Sequence, residues 1–193
     1  MTLPKMEILE EFSSIPEVTF FETGTYTGTG INQATKAGFS RVISLEPVEE
    51  FYQNCVKKFS ERITNGTVRL VWGSSEDKLY DEIKSIKTPI VYWLDGHFQG
   101  GDSEAKNCPL EDEVAAILKR GILPNDVIMI DDVRLIKNQT SWKGHETDFC
   151  KELGKLCLNA PNHVSLFVTG HVESDVFLLV PKHIAAKTNH LFT

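Results

Sequence analysis

The stretch that most constrains this chain is Val18-Thr19-Phe20-Phe21-Glu22-Thr23-Gly24-Thr25-Tyr26-Thr27-Gly28-Thr29-Gly30. An apolar run, an acid and three closely spaced glycines describe a buried strand that breaks into a tight loop and enters a helix, for which Ile31-Asn32-Gln33-Ala34-Thr35-Lys36-Ala37 is available. Glycine is needed where the backbone turns left-handed or where a ligand approaches with no Cβ in the way. The stretch therefore reads as a small-molecule cradle. Its spacing excludes two common occupants. A dinucleotide fingerprint puts a third glycine where this chain has Gln33, and a phosphate-gripping loop requires a lysine after its glycines, which is missing here.

The remaining pattern is Glu22-x-Gly24-x-x-x-Gly28-x-Gly30, followed by a second strand, Arg41-Val42-Ile43-Ser44-Leu45-Glu46, that ends in an acid before Pro47. It resembles the first motifs of class I S-adenosylmethionine-dependent methyltransferases. The resemblance implies that Glu22, Thr23, Gly24, Thr25, Tyr26 and Gly28 form the loop against the methionine part of S-adenosylmethionine. Glu46, with Pro47 beside it, would then hold the ribose, since one carboxylate can accept from both hydroxyls at once. Ser74 and Ser75 would lie beside the adenine, with Asp95 and Gly96 completing the cofactor set.

At 193 residues the chain suits one domain, 1–193, with a substantial core. A net charge of −7 argues against a nucleic-acid polyanion as main partner, although a local basic patch could still exist. Cys55, Cys108, Cys150 and Cys157 show neither a C-x-x-C pair nor a zinc spacing and read as reduced thiols. No stretch approaches the length of a membrane span and the N-terminus has no signal-like apolar region, so the expected location is cytoplasmic, the host cytoplasm if the chain is viral. Asn65-Gly66-Thr67 and Asn138-Gln139-Thr140 match the glycosylation acceptor pattern, which such a location would leave unused.

Along the chain, residues 5–14 read as an amphipathic helix within an N-terminal segment 1–15, and Gly38 is placed to cap the first helix after the cradle. Pro47 suits the first turn of the next helix, whose buried face is Val48, Phe51, Tyr52, Cys55, Val56 and Phe59. Strand three is Thr67-Val68-Arg69-Leu70-Val71-Trp72. Ser75 before Glu76-Asp77 suits a helix cap as well as an adenine contact, and the helix runs through Leu79, Ile83 and Ile86. Strand four, Ile90-Val91-Tyr92-Trp93-Leu94-Asp95, has the continuous apolar character of a strand covered on both faces. Pro109 opens a helix that carries Val114, Ile117 and Leu118 and stops at Gly121. Strand five is Val127-Ile128-Met129-Ile130-Asp131-Asp132, and an amphipathic helix lies around Phe149, Leu153 and Leu156. The last two strands, His163 to Val168 and Asp175 to Val180, are joined too closely for a helical crossover and must be antiparallel. A tail, 181–193, follows. With the resemblance, this predicts a single Rossmann-like α/β class I methyltransferase domain: a seven-stranded, mostly parallel sheet with a C-terminal antiparallel hairpin and helices on both faces.

Strands four and five both end in carboxylates, at Asp95 and at Asp131-Asp132, on the edge where open α/β sheets bind ligands. Clustered carboxylates repel one another, and an oxygen-only set would take a hard divalent ion, magnesium first. The arrangement resembles metal-dependent O-methyltransferases, nearest the antibiotic-sugar type of macrocin O-methyltransferase and then the catechol type. The phrase Leu94-Asp95-Gly96-His97-Phe98 with Gly100-Gly101-Asp102 is also similar to small glycan-modifying methyltransferase domains of large viruses. By resemblance, Asp95, Asp131 and Asp132 are metal ligands, and His97, with Asp95, is the catalytic candidate. Asp131 could instead brace a loop through Arg134 or Lys137, and His97 could be a loop bystander. Two long loops, 96–107 and 133–144, leave the same edge and carry polar groups and Trp142, suited to a saccharide. The expected activity is methyl transfer to a hydroxyl of a sugar or glycan. A catechol-like small-molecule O-methyltransferase and a cofactor-binding, non-catalytic domain are the rivals.

Overall fold

The structure is a computed structural model and describes residues 4–96, 108–134, 149–169 and 172–191. His97 and most of the two long loops lie outside the described residues. In chain order the elements are α1 (Met6–Ser13), β1 (Thr19–Thr23), α2 (Thr29–Lys36), β2 (Val42–Glu46), α3 (Glu49–Lys58), α4 (Ser60–Thr64) and β3 (Val68–Trp72). There follow α5 (Ser75–Ile83), β4 (Ile90–Leu94), α6 (Leu110–Arg120), β5 (Val127–Ile130), α7 (Phe149–Leu158), β6 (His163–Val168), β7 (Val176–Pro181) and α8 (Lys182–Thr188).

The seven strands form one sheet in the order β3-β2-β1-β4-β5-β7-β6. The first five strands of the chain pair in parallel, and β7 inserts between β5 and β6, antiparallel to both. The antiparallel pairing is the expected one. The insertion of β7 makes β6 the edge strand.

Every residue of β1, β2, β4, β5 and β7 is buried, because alternate side chains feed two cores. Phe20, Val91, Trp93, Val127, Met129 and Leu178 point to one face, where they meet Ile8, Leu9 and Phe12 of α1, Ile31 and Ala34 of α2, and Ile184 of α8. Phe21, Tyr92, Leu94, Ile128, Ile130 and Leu179 point to the other face, against Leu79 of α5, Val114 and Ile117 of α6, and Leu156 of α7. Among the described residues no helix is long and apolar enough to cross a membrane.

Some local expectations change. The helix after β2 begins at Glu49 and not at Pro47, because the Val48 N–H donates to Glu46 Oε1 at 2.8 Å and Val48 is extended. That helix breaks at Phe59, and of its expected apolar face only Cys55 and Phe59 are buried. Ser74, not Ser75, is the cap residue of α5, and its hydroxyl makes no cap hydrogen bond; the helix ends at Ile83, short of Ile86. The segment expected as a C-terminal tail is mostly helical, since Ile184 and Thr188 bury against the sheet.

The edge away from the cradle is held by a buried ion pair. Arg120 Nη1 donates to Asp126 Oδ2 at 2.7 Å, with the two side chains 2% and 0% exposed. Arg120 also donates to the carbonyls of Thr88 and Ile86, and Asp126 accepts from the N–H groups of Ile90 and Leu123. The end of α6 and the starts of β4 and β5 are thereby tied together. Arg120→Met, which leaves Asp126 buried without its cation, should cost about 3–5 kcal/mol in urea unfolding, and Arg120→Met/Asp126→Asn should regain part of that loss.

Candidate cofactor and metal site

The site lies where strand order reverses. β1 has β2 on one side and β4 on the other, so a crevice opens beyond the C-terminal ends of β1 and β4. Gly24, immediately after β1, has φ +85°, and a Cβ there would sit 2.5 Å from the Asp95 carbonyl oxygen. The turn is thus pressed against the end of β4. The Asp95 N–H donates to Thr23 Oγ1 at 3.2 Å across the same junction. Gly28 is left-handed and precedes α2, and a Cβ on Gly30 would overlap Glu22 Oε1. Glycine spacing at this turn therefore answers to close packing inside the protein.

Beneath the turn runs a chain of buried hydroxyl and carboxyl groups. Thr25 Oγ1 and Ser44 Oγ are 2.6 Å apart, and Ser44 Oγ donates to Glu22 Oε2 at 2.6 Å. Glu22 and Thr25 are fully buried, so the structure places their side chains in the floor of the cradle. Burial raises the Glu22 carboxyl to about 8, with the Ser44 bond opposing and Glu46 adding to the rise.

Glu46 ends β2 in a fixed pose. Its Oε2 accepts from the Tyr26 N–H at 2.7 Å and its Oε1 from the Val48 N–H at 2.8 Å. Tyr26 takes φ 48°, unusual for a non-glycine residue, to present that N–H. Burial raises the Glu46 pKa, and the Val48 and Tyr26 N–H bonds oppose it. Each oxygen keeps a lone pair for a further donor. Pro47 is exposed beside it, and the exposed Tyr26 ring meets Phe51 edge-on at 4.8 Å.

On the adenine side of the expected site, Ser74 Oγ contacts Asp77 at 3.2 Å, while Ser75 is buried. Ser75 lies beside Glu113, a fully buried acid on α6 that sequence reasoning did not assign. Glu113 Oε1 would stand 3.2 Å from a Cβ on Gly96, with Thr23 Oγ1 at 3.3 Å, so it sits under the junction of β1 and β4. Burial raises it to about 7, opposed by the neighbouring Ser75 and Thr23 hydroxyls. One signal was available: Glu113 falls on the same helical face as Leu110, Val114 and Ile117.

Asp95, Asp131 and Asp132 come together as expected. One carboxylate oxygen from each lies within 4.8 Å of the others, and the residues are 7%, 5% and 5% exposed. Asp95 Oδ2 is buried and has no hydrogen-bond partner among the described residues. Burial, then Asp131 and Asp132, push Asp95 up to about 9, and burial pushes Asp131 to about 6 against the Asp132 N–H it accepts. Asp132 is left-handed at φ 53°. A buried, oxygen-only set with an unsatisfied oxygen fits a hard divalent ion, which would relieve the repulsion. Arg134 pairs with Asp132 and with Asp175, the latter another residue not assigned from sequence. No local pattern marks Asp175, because its partner is 41 residues away.

Glu22 and Glu113 hold protons in the folded state at pH values where the unfolded chain has lost them. Stability should therefore fall as pH rises from about 4.5, the ordinary glutamate value, through about 7–8. Glu22→Gln should flatten that decline, as read from urea midpoints across this range. An equal slope in the variant would show that Glu22 ionises normally.

No protein-family model matches the sequence, and no curated protein matches it. Solved structures do. Podospora anserina methyltransferase PaMTH1, bound to SAH, aligns with TM-score 0.59 at 15% identity, over 94% of this chain and 90% of that one. The O-methyltransferase TomG of Streptomyces achromogenes, involved in tomaymycin synthesis and solved with SAM, aligns with TM-score 0.61 at 14% identity, over 91% and 77%. The 23S rRNA methyltransferase ErmE aligns with TM-score 0.56 at 13% identity, over 94% and 70%. With the strand order, the antiparallel β7 and the crevice between β1 and β4, these likenesses show that the chain has the class I S-adenosylmethionine-dependent methyltransferase fold.

Proposed function

We propose that this protein is an S-adenosylmethionine-dependent O-methyltransferase acting on a hydroxyl of a sugar or glycan with help from a divalent metal ion. The observation that carries the reading is the convergence of Asp95, Asp131 and Asp132 at the ends of β4 and β5, beside the glycine turn. Fold likeness alone does not select an acceptor, since the aligned proteins include an enzyme involved in tomaymycin synthesis and a 23S rRNA methyltransferase. The net charge of −7 and the acidic cluster at the crevice favour a small or saccharide acceptor over RNA.

In this reading, Glu46 holds the ribose through the lone pairs left by Tyr26 and Val48, and the turn from Thr23 to Gly28 receives the methionine end. Pro47, Ser74 and Ser75 flank the adenine, with Gly96 closing the pocket beside Asp95. The sulfonium of the bound cofactor supplies an electrophilic methyl carbon. Asp95, Asp131 and Asp132 would hold the metal, whose charge makes a weakly acidic sugar hydroxyl easier to deprotonate. The protein's own work is to aim the acceptor oxygen in line with the methyl group and accept its proton. His97, two residues past Asp95, is the proposed base. A catechol-like acceptor is the second reading, favoured by the same carboxylate triad, since a divalent ion held there would also chelate a vicinal diphenol.

The test is incubation with labelled S-adenosylmethionine and a panel of saccharides and vicinal diphenols, with magnesium or with chelator. Transfer to a saccharide that chelation abolishes is the expected result. Transfer only to diphenols would select the second reading, and full turnover after exhaustive chelation would remove the metal. Glu46→Ala should weaken cofactor binding in calorimetry, and no binding by wild type would sink the whole proposal. His97→Ala should lower turnover roughly a hundredfold with cofactor affinity unchanged.

A further inference from the structure

Arg134 lies beside the acidic cluster in an arrangement that a simple loop brace does not require. Its Nη1 pairs with Asp132 Oδ1 at 2.9 Å and also with Asp175 Oδ2. Asp175 enters β7, is 3% exposed, and grips the same segment through its backbone and side chain. Its carbonyl accepts from the Val133 N–H at 3.0 Å, and its Oδ1 accepts from the Arg134 N–H at 2.8 Å. The backbone of the Asp131–Arg134 segment is thus anchored without the guanidinium. The Arg134 side chain is 40% exposed as a whole, while its paired Nη1 is buried against the two carboxylates.

A guanidinium cannot lose its charge at any ordinary pH, so it leaves a carboxylate only by moving. An ion that used the Asp132 oxygen now paired with Arg134 would have to displace it. Asp175 offers the displaced group a second, buried carboxylate already in contact, which keeps that displacement inexpensive.

We propose that Arg134 is a resident counter-cation of the acidic cluster, docked by Asp175, which neutralises Asp132 in the metal-free protein and competes with a divalent ion for it. The proposal rests on the metal reading given above. Arg134 is in this sense a positioning residue, acting through Asp132. A purely structural role makes the opposite prediction, because loosening Asp132 would weaken metal binding, whereas removing a competitor strengthens it.

The experiment titrates the full chain with manganese(II) chloride and reads free Mn²⁺ by electron paramagnetic resonance, in wild type, Arg134→Gln, Arg134→Lys, Asp175→Asn and the Arg134→Gln/Asp175→Asn pair. Arg134→Gln should bind about three- to tenfold more tightly, and less so at high salt, as expected for removal of a partly exposed like charge. Arg134→Lys, which keeps the charge, should stay near wild type. Asp175→Asn should bind several-fold more weakly, because Arg134 then rests on Asp132 alone. The double variant should bind within about twofold of Arg134→Gln, the non-additivity expected if Asp175 acts through Arg134. Binding by a folded Arg134→Gln that is unchanged or weaker overturns the proposal. If that variant does not fold, Asp175→Asn decides, and unchanged or tighter binding overturns it. Absence of saturable binding in wild type overturns the metal reading itself, whereas saturable wild-type binding that Arg134→Gln fails to strengthen overturns only the role of Arg134.

Discussion

The edge that carries the candidate site depends on the contact between the turn after β1 and the end of β4. With a Cβ on Gly24 only 2.5 Å from the Asp95 carbonyl, the two chain segments can approach this closely only because position 24 has no side chain. The Thr23 hydroxyl takes the Asp95 N–H across the same seam, and the Asp131 N–H donates to the Leu94 carbonyl one strand further along. Cradle and acidic cluster are therefore one packed unit. A displacement of the turn would carry Asp95 with it, and through the β4–β5 pairing would disturb Asp131 and Asp132.

Into this junction the protein places several buried carboxylates, two of which keep an oxygen that no donor among the described residues satisfies. Among the described residues, Glu22 and Asp95 each keep an oxygen with no hydrogen-bond partner. Removing such groups from water is costly unless they are protonated or find a counter-charge. The opposite edge is built differently, with Arg120 opposite Asp126 and nearby N–H groups completing the network. A satisfied network braces one end of the sheet, while buried acids with oxygens unpartnered among the described residues lie at the other. The contrast is consistent with the proposed binding of a cofactor and a cation at the second end.

The local grammar of the chain was readable because its elements repeat simple periods. Apolar residues on β4 and β5 announce burial on both faces, and the glycines after Phe21-Glu22 announce a turn into a helix. Acids at the ends of β4 and β5 were legible as a cluster because parallel neighbours bring their C-terminal ends to the same edge. Glu113 and Asp175 were not read in this way. The first sits in an acidic first turn, where helix-end electrostatics explains a glutamate without any site, and the second owes its role to a partner reached only through the fold.

By itself the sequence determined the strands, the cradle and the acidic strand ends, because periodicity, glycine spacing and residue type act over a few neighbouring positions. Only the tertiary structure decided that β7 enters between β5 and β6, that Val48 and Tyr26 clamp Glu46, and that Asp175 holds Arg134 against Asp132. Each of these joins groups far apart in the chain or exchanges one hydrogen bond for another. Which exchange prevails depends on the packing of the whole sheet, which no local pattern records.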